Sequence, residues 1–415
     1  MDPLDVHRLR DELAGFAGDV FRSLTRLGWR DRAVSYLQGL MIDGRRKSVQ
    51  PMAGRLPGVH DQALNHFVTN SPWDVTPVRR QLAWRMDVAV QPLAWAVDDT
   101  GWLKCGSASP GVARQYTGTA GKVTNCQIGV SVNLVTDTAS CPADWRLFLP
   151  ASWDPALNTE GDVIGRRAKA GIPDDVGHRE KWRLALDMLE EMTGWGLRPP
   201  LVVADAGYGE VGDFRQGLED RAMPYVVQVA HTVTAYPQDT VRVAAPYSGN
   251  GPYPRVIYRQ AATAVRELVL SAGRGAARPV RWRTGSRHRN RQPQPMRSHF
   301  VFLRVRPAGN PHRRAHPGQD LPVRWLIAEW PPTEAKPTKY WISDLPARTP
   351  RTRLVRLAKL RWRIEHDYRE LKTGLGLDHY EGRTWQGWHH HVTLVSAAHA
   401  FLTLQRLDPK AKAPA

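Results

Sequence analysis

Carboxylates in three segments have the placement that metal-assisted phosphate chemistry requires. Asp98 and Asp99 follow the apolar run LAWAV, Asp205 follows the apolar run LVVA, and Glu365 lies within RWRIEHDYRELK. Acids directly after buried strands are costly to leave unpaired, and Mg²⁺ prefers hard oxygen ligands. Two such ions about 3.5–4 Å apart can activate an attacking oxygen and stabilise a leaving one. The pattern favours phosphodiester cleavage, although an acid at a strand end can also be a turn former or an N-cap.

The third acid shares its helix face with cations. At helical spacing this face carries Arg361, Glu365, Tyr368, Arg369 and Lys372. Trp362, Ile364 and Leu371 fall on the other side and are predicted to be buried. A plain surface helix can also carry Glu–Arg pairs at this spacing. A carboxylate flanked by Arg361 and Lys372 nevertheless suits a metal ligand that faces DNA phosphate, with both cations as phosphate contacts.

The net charge points to a polyanionic partner. Lys and Arg outnumber Asp and Glu by 58 to 40, which leaves a formal charge of +18. Binding of such a chain to nucleic acid is favoured because each neutralised phosphate releases counterions. A basic surface that only aids solubility is the plainer alternative. The chain lacks an apolar run long enough for a membrane span, so no membrane partner is expected.

The positive charge is concentrated in one segment. From Leu268 to Gln319 there is no acidic residue but there are twelve arginines. Trp282 and Arg283 lie within it, so we expect bidentate phosphate contacts from arginine and stacking of aromatic rings on bases. The residues around Ser286–Gln294 can equally form a solvated loop that orders on binding.

Secondary-structure signals divide the chain into segments. Residues 1–85 read as helices that form an N-terminal region. Residues 86–230 read as strand, strand, strand, helix, strand, helix, strand, with the first strand ending at the two acids. Residues 231–340 contain strand-like runs, among them TVRVAAP, RVIYRQ, RELVLSAG and SHFVFLRVRP. In residues 341–408 we predict one long helix, TRLVRLAKLRWRIEHDYRELKTGLG, and a final helix, and residues 409–415 read as a tail.

This order predicts an α/β fold in which an RNase H-like mixed-sheet core is split by a β-rich insertion. In such a sheet the strands before Asp99 and Asp205 are neighbours, so their acids can converge.

The remaining features concern the cellular compartment, the histidine run and Arg114. Three cysteines without CxxC spacing, and an N-terminus without an apolar signal core, indicate a cytosolic protein. The run His389–His391 lies on a helix, where consecutive residues face different directions, so packing or DNA contact is favoured over a metal site. Arg114 lies just after the first acids and is either a DNA contact or part of a strand-connecting hairpin.

Several blocks of the sequence resemble a known family. Arg361, Glu365 and Lys372 match the signature of insertion-sequence transposases of the number-4 group, a DDE branch with an RNase H-like core. The blocks DDTGWLKCGSASPGVARQYTGTAGKVTNCQIGVSV, VVADAGYGE, LGLDHYEGRTWQGWHHHVTLV and RKSVQPMAG are similar to its 701-type branch. The resemblance spans roughly residues 30–405, with the motifs in order.

The resemblance implies a function and its residues. It implies Asp99, Asp205 and Glu365 as catalytic ligands of two Mg²⁺ ions, with Mn²⁺ as a substitute. It implies a homodimer bound to paired terminal inverted repeats, with residues 1–85 as the DNA-end-binding region, and cut-and-paste transfer of a 3′-hydroxyl into target DNA at the bacterial nucleoid. Asp99 is preferred because it precedes Thr100, with Asp98 as a second partner or the true ligand. The signature's Tyr is replaced by Ala358, which leaves a hairpin route for second-strand cleavage open.

Two other functions fit the same residues. The chain can be a DNA-binding protein derived from a transposase, or an RNase H-like nuclease that cuts DNA without joining strands.

Overall fold

A computed structural model describes residues 3–247, 249–251, 253, 256–284 and 294–408. It divides into two compact units. The first unit consists of Met1–Arg198 and Trp362–Ala415, and the second of Pro199–Arg361. Both combine helices with strands, so the chain is a mixed α/β protein, as predicted.

Helices open the first unit. They are α1 (Pro3–Val20), α2 (Leu27–Met41), α3 (Val49–Ala53), α4 (Asp61–Thr69) and α5 (Val75–Val90). The helical spacing of apolar residues that predicts them buries Phe16, Leu37, Phe67 and Leu82. The short helix α3 was not predicted. Asp74 caps the start of helix α5, and its carboxylate accepts a hydrogen bond from the Thr76 amide at 2.8 Å.

An antiparallel sheet follows in the same unit. Its strands are β1 (Ala94–Leu103), β2 (Ala113–Thr117), β3 (Lys122–Val135) and β4 (Ser140–Leu147). Strand β3 pairs with β1 along one edge, and with β2 and then β4 along the other. The segment that contains Arg114 therefore forms the predicted hairpin with β3, which leaves the exposed Arg114 side chain available for a DNA contact. Helices α6 (Val163–Ala170) and α7 (Lys181–Gly194) come next, and α7 packs on β3 and β4.

The second unit opens with the predicted strand, helix and strand. These elements are β5 (Val202–Ala204), α8 (Ala206–Gly209), α9 (Gly212–Asp220) and β6 (Tyr225–Val229), and β5 and β6 are parallel. The elements that follow are β7 (Thr234–Pro237), β8 (Thr263–Ala264), α10 (Val265–Ala272), β9 (Arg278–Thr284), β10 (Pro295–Pro307), α11 (Asn310–Ala315), β11 (Arg324–Glu329), β12 (Lys339–Ser343) and α12 (Arg351–Leu360). Hydrogen bonds order the strands β5-β6-β12-β11-β10-β7-β8, and β9 also pairs with β10.

Parts of the predicted insertion fold differently from expectation. RELVLSAG is helix α10 and not a strand, because Val265 and Val269, four residues apart, are the positions that become buried. Among their described residues, TVRVAAP and RVIYRQ form an isolated bridge between Val243 and Ile257 and no strand. Most of the loop predicted around Ser286–Gln294, up to residue 293, lies outside the described residues.

The C-terminal segment, Trp362–Ala415, belongs to the first unit. It contains α13 (Trp362–Arg369), a π-helical turn (Glu370–Gly374) and α14 (Trp385–Leu407). The prediction of one long helix was therefore wrong, because a turn at Arg361 separates α12 from α13. The π-helical turn was also missed, since the spacing of apolar residues in the sequence does not distinguish an α-helical turn from a π-helical one. The predicted tail, residues 409–415, lies outside the described residues. Across the described ranges, no helix is both long and apolar enough to cross a bilayer.

Candidate catalytic site

The first predicted acids lie inside a strand and not at its end. Strand β1 continues past them to Leu103 because it pairs with β3 over its whole length, with Asp98 opposite Ser131 and Asp99 opposite Val130. The prediction of a strand that stops at the acids was wrong, since polar residues in mid-strand resemble a turn in sequence. Consecutive residues of a strand face opposite sides of the sheet, so the two acids serve different faces.

Asp98 lies on the face that carries helix α13. Its side chain is buried, and its Oδ1 accepts a hydrogen bond from the Asp99 amide at 2.9 Å. Ser131, its cross-strand neighbour, bonds through Oγ to the hydroxyl of Tyr368 at 2.8 Å. The ring of Tyr368 also contacts Trp145, with centroids 6.2 Å apart. These contacts anchor α13 on the Asp98 side of the sheet.

Asp99 faces the side covered by helix α7. Its Oδ2 accepts a hydrogen bond from the Lys181 ammonium group at 2.6 Å. The Asp99 side chain is 22% exposed and that of Lys181 38% exposed, so this ion pair is open to solvent on one side. A carboxylate oxygen that already holds a cation in a half-buried position is chemically suited to hold a divalent ion. Sequence reasoning missed Lys181, because its partner lies far away along the chain.

Glu365 is an exposed residue of α13. The helix packs on β1, β3 and β4, and it buries Ile364 and Asp367. Arg363 fixes its position by donating to the Ser140 hydroxyl at 3.0 Å. Glu365 lies three residues before Tyr368, so it shares the side of α13 that reaches Ser131. Buried Ile364 and Leu371 confirm the predicted apolar side, whereas Trp362 is only half-buried.

The cations predicted around Glu365 have different surroundings. The Lys372 ammonium group lies in the π-helical turn and donates to the carbonyl of Gly101 at 2.7 Å and to the hydroxyl of Thr119 at 2.9 Å. Burial lowers the pKa of Lys372 to about 8. Arg369 is exposed, and Arg361 lies at the turn between α12 and α13. Lys372 thus holds the main chain that follows Asp99.

Asp205 lies in the second unit, directly after β5 as predicted. Its Oδ1 accepts a hydrogen bond from the Tyr208 amide at 3.4 Å, so it also caps the short helix α8. Gly209 ends α8 against β6, and a Cβ at this position would overlap the main-chain carbonyl of Gln228. A glycine is therefore required where the helix that follows Asp205 contacts its own sheet.

The remaining predicted DNA contacts are spread over the two units. Arg114 is exposed on β2, in the first unit. Trp282 and Arg283 lie on β9, in the second unit. The Trp282 ring meets Phe300 edge-on at 5.8 Å and lies 5.2 Å from the Lys359 ammonium group. Trp282 thus already makes a cation–π contact inside its own unit.

The three consecutive histidines are packing residues, as expected. His389, His390 and His391 are all buried in α14. His390 bonds through both ring nitrogens to main-chain carbonyls, each at 2.8 Å, and His391 bonds to the hydroxyl of Tyr36 at 2.9 Å. Within either unit, the described residues contain no ready group of three His, Cys, Asp or Glu side chains for a metal ion.

Sequence reasoning also missed a buried charge network in the first unit. The guanidinium of Arg79 donates to Asp144 at 3.0 Å, to the Trp145 carbonyl at 2.7 Å and to the Thr393 hydroxyl at 2.8 Å. Arg146 bridges Asp144 to Glu191 of α7. The network ties α5, β4, α7 and α14 together around the sheet that carries Asp99.

Comparison with known proteins places the chain in a family. A family model described as DDE superfamily endonuclease matches residues 19–289, more than half of the chain. The chain therefore belongs to the DDE superfamily of endonucleases, which confirms the predicted RNase H-like α/β fold. Members of this superfamily generally depend on divalent metal ions and act on DNA. The matched range includes Asp99 and Asp205 and ends before Glu365.

One relative carries a more specific description. Over 219 residues the chain is 28% identical to a protein of Microchaete diplosiphon described as a probable transposase for insertion sequence element IS701. The alignment covers 51% of this chain and 52% of that protein, so the chain spans about half the length of the relative it matches. The resemblance to the 701-type branch is thereby confirmed.

Proposed function

We propose that the chain is a transposase that cleaves DNA at the ends of a mobile element and joins the freed 3′-hydroxyl to target DNA. The observation that carries the proposal is Asp99, a half-buried carboxylate in mid-strand that holds a cation at 2.6 Å in a member of the DDE superfamily. The helix that bears Glu365 packs on the same strands, on the face to which Asp98 points, so Asp98 is the alternative first ligand in this proposal. The formal charge of +18 supports a DNA substrate.

In this proposal Asp99, Asp205 and Glu365 hold two Mg²⁺ ions, which Mn²⁺ can replace. All three supply the hard oxygen donors that such ions prefer. When bound, the ions supply charge stabilisation for the attacking and leaving oxygens of an in-line displacement. Asp98 is buried on the face that carries α13 and accepts a hydrogen bond from the Asp99 amide, so it is either a partner of Asp99 or the first ligand in its place.

The other residues bind and position DNA. We propose that Arg361, Arg369, Arg114 and Arg283 contact phosphates and that Trp282 stacks on a base. Lys372 contributes by bonding to the Gly101 carbonyl of β1, and Tyr368 by bonding to the Ser131 hydroxyl of β3. In the first step water attacks the phosphorus, and the 3′-oxygen leaves and takes up a proton. In the second step that 3′-oxygen loses its proton and attacks a target phosphorus, whose own 3′-oxygen departs.

The assembly and the route of second-strand cleavage are further parts of the proposal. We propose a homodimer that pairs two terminal inverted repeats in the bacterial cytoplasm, at the nucleoid. The position of the family's Tyr is Ala358, which is 6% exposed on α12. This position cannot offer a phenol ring to DNA, so a second-strand route that depends on that ring is not part of the proposal.

The test compares carboxylate variants on DNA that contains the element's ends. We expect Asp99→Asn, Asp205→Asn and Glu365→Gln to lose cleavage by roughly three orders of magnitude or more while they still bind DNA. The matched control Asp239→Asn changes an exposed acid in the second unit and should cut normally. An Asp98→Asn variant that loses all cleavage while Asp99→Asn retains it would move the first ligand to Asp98.

Strand-transfer assays with pre-cut ends distinguish the remaining functions. Joined product supports a transposase, cleavage without joining supports a nuclease, and binding without either supports a DNA-binding derivative. Retained cleavage in all three triad variants would overturn the proposal.

A further inference from the structure

We propose that the second unit contains a binding cleft for the phosphate backbone of one DNA strand, close to Asp205. We name it the β6 cleft; its polar lining comes from Gln228, His231, Arg266, Lys336 and Lys339. The inference rests on the proposed role of Asp205, since it assigns the cleft to the same DNA substrate.

The cleft lies where a parallel strand pair places its ligands. Strands β5 and β6 are parallel, with Ala204 opposite Val227, so the residues after both strands emerge at the same edge. In open α/β sheets ligands bind outside the carboxyl ends of the strands. The lining begins at Ala206, the residue after Asp205, and continues through Gln228 to His231. The β6 cleft therefore starts one residue from the predicted catalytic acid.

The positive charge of the residues that line the β6 cleft favours binding of an anion. Arg266, Lys336 and Lys339 are cationic, His231 can become so, and no acid lines the cleft. Arg266 also pairs with Glu267 at 2.9 Å, but both side chains are about half exposed, so screening weakens that pair. Glu329, which lies opposite Lys339 in the β11–β12 ladder, is paired with Lys359, and among the described residues neither Lys336 nor Lys339 forms an ion pair. Phosphate oxygens would supply the missing counter-charge.

The segment that bears the two lysines is held in place before any ligand binds. The Thr338 amide donates to the Glu329 carbonyl at 2.8 Å, and the buried Tyr340 donates its hydroxyl to the Pro337 carbonyl at 3.3 Å. Tyr340 also lies opposite Val229 in the β6–β12 ladder. Lys336 and Lys339 therefore extend from a fixed edge, which reduces the ordering cost of binding.

The size and polarity favour a single strand's backbone over a base. The cleft has a volume of about 320 Å³, enough for a phosphodiester with its sugar and too small for a duplex. The ring of Tyr340 is only 3% exposed and offers no face for stacking, and the other ring of the lining, the exposed imidazole of His231, can donate a hydrogen bond to a phosphate oxygen. Recognition here is expected to be independent of base sequence.

The test removes the two exposed lysines with Lys336→Gln/Lys339→Gln. Binding of end DNA is measured by fluorescence anisotropy at several salt concentrations. The association constant falls with salt, and loss of one or two phosphate contacts should make the plot of log K against log salt less steep by about one to two. Binding at low salt should be about tenfold weaker. The control Lys169→Gln/Arg183→Gln removes the same charge from exposed positions of the first unit and should change the slope less.

Ethylation interference then locates the contact. In the wild type, ethylation of one or two phosphates beside the cleavage site should block binding, and the double variant should lose that sensitivity. Arg266→Gln, in the same cleft, provides an independent second variant. The proposal is overturned if both cleft variants keep the wild-type salt dependence and the wild-type ethylation interference. It is also overturned if the control variant loses as much salt dependence as the cleft variants do. If Asp205→Asn meanwhile abolishes cutting, the proposed function survives; if Asp205→Asn cuts normally, that function fails whatever the lysines do.

Discussion

Removal of Lys181 tests whether Asp99 is built to hold a metal ion. The Lys181 ammonium group lies 2.6 Å from Asp99 Oδ2, where it competes with a divalent ion for that oxygen. Lys181→Met keeps much of the apolar stem and deletes the charge. We therefore expect this variant to bind Mn²⁺ more tightly than the wild type.

The size of the effect follows from the geometry of the pair. Two unit charges about 4 Å apart interact by about 4 kcal/mol at an effective dielectric constant of about 20. Exposed ion pairs are worth only about 0.2–1 kcal/mol after screening. With side-chain exposures of 38% and 22%, the Lys181–Asp99 pair falls between these limits. A net value of about 1–2 kcal/mol corresponds to about 5–30-fold tighter Mn²⁺ binding in Lys181→Met.

Electron paramagnetic resonance of free Mn²⁺ during a titration measures this affinity without any DNA. Arg183→Met is the matched control, since it removes a charge from the same helix at an exposed pair with Glu180. Asp99→Asn should weaken Mn²⁺ binding, and Lys181→Met should add little in that background. Unchanged or weaker binding in Lys181→Met, with Asp99 intact, would falsify the reasoning.

Three further perturbations test the scaffold. Arg79→Met removes one of the two cations that neutralise the buried Asp144 carboxylate, so it should lower the free energy of unfolding by about 3–5 kcal/mol in urea titrations. A loss below about 1 kcal/mol would contradict this reasoning. In thermal melts, Gly209→Ala should destabilise the chain by about 1–3 kcal/mol, because its Cβ would overlap a β6 carbonyl, and it should also impair cleavage. The control Gly194→Ala places its Cβ in open space and should leave the melting temperature unchanged or raise it. Burial lowers the pKa of His312 to about 4, so its neutral form contributes stability that is complete above about pH 6.5 and is lost as the pH falls toward 4. His312→Asn should therefore flatten the fall in unfolding free energy between pH 7 and 5, and an unaltered slope would exclude this residue as the cause.

Local patterns in the sequence were sufficient for the family, the α/β fold and most elements. Helical spacing of apolar residues predicts α1, α7 and α14, because burial of one side is a local property of a helix. Asp205 after its strand was also predictable, since a short apolar run that ends in an acid and a glycine turn is readable along the chain. The segment RELVLSAG was misread because a short apolar run does not distinguish a strand from a buried helix.

Long-range contacts decided the rest of the candidate site. Whether β1 stops at Asp98 or continues to Leu103 depends on the partner strand β3, and that ladder also sends Asp98 and Asp99 to opposite faces. Lys181 is a partner of Asp99 only because α7 packs on the sheet, and no spacing in the sequence relates the two. The residue types that can bind metal and phosphate are thus evident from the sequence. The tertiary structure determines which cation neutralises which acid, because those pairings join segments that are distant along the chain.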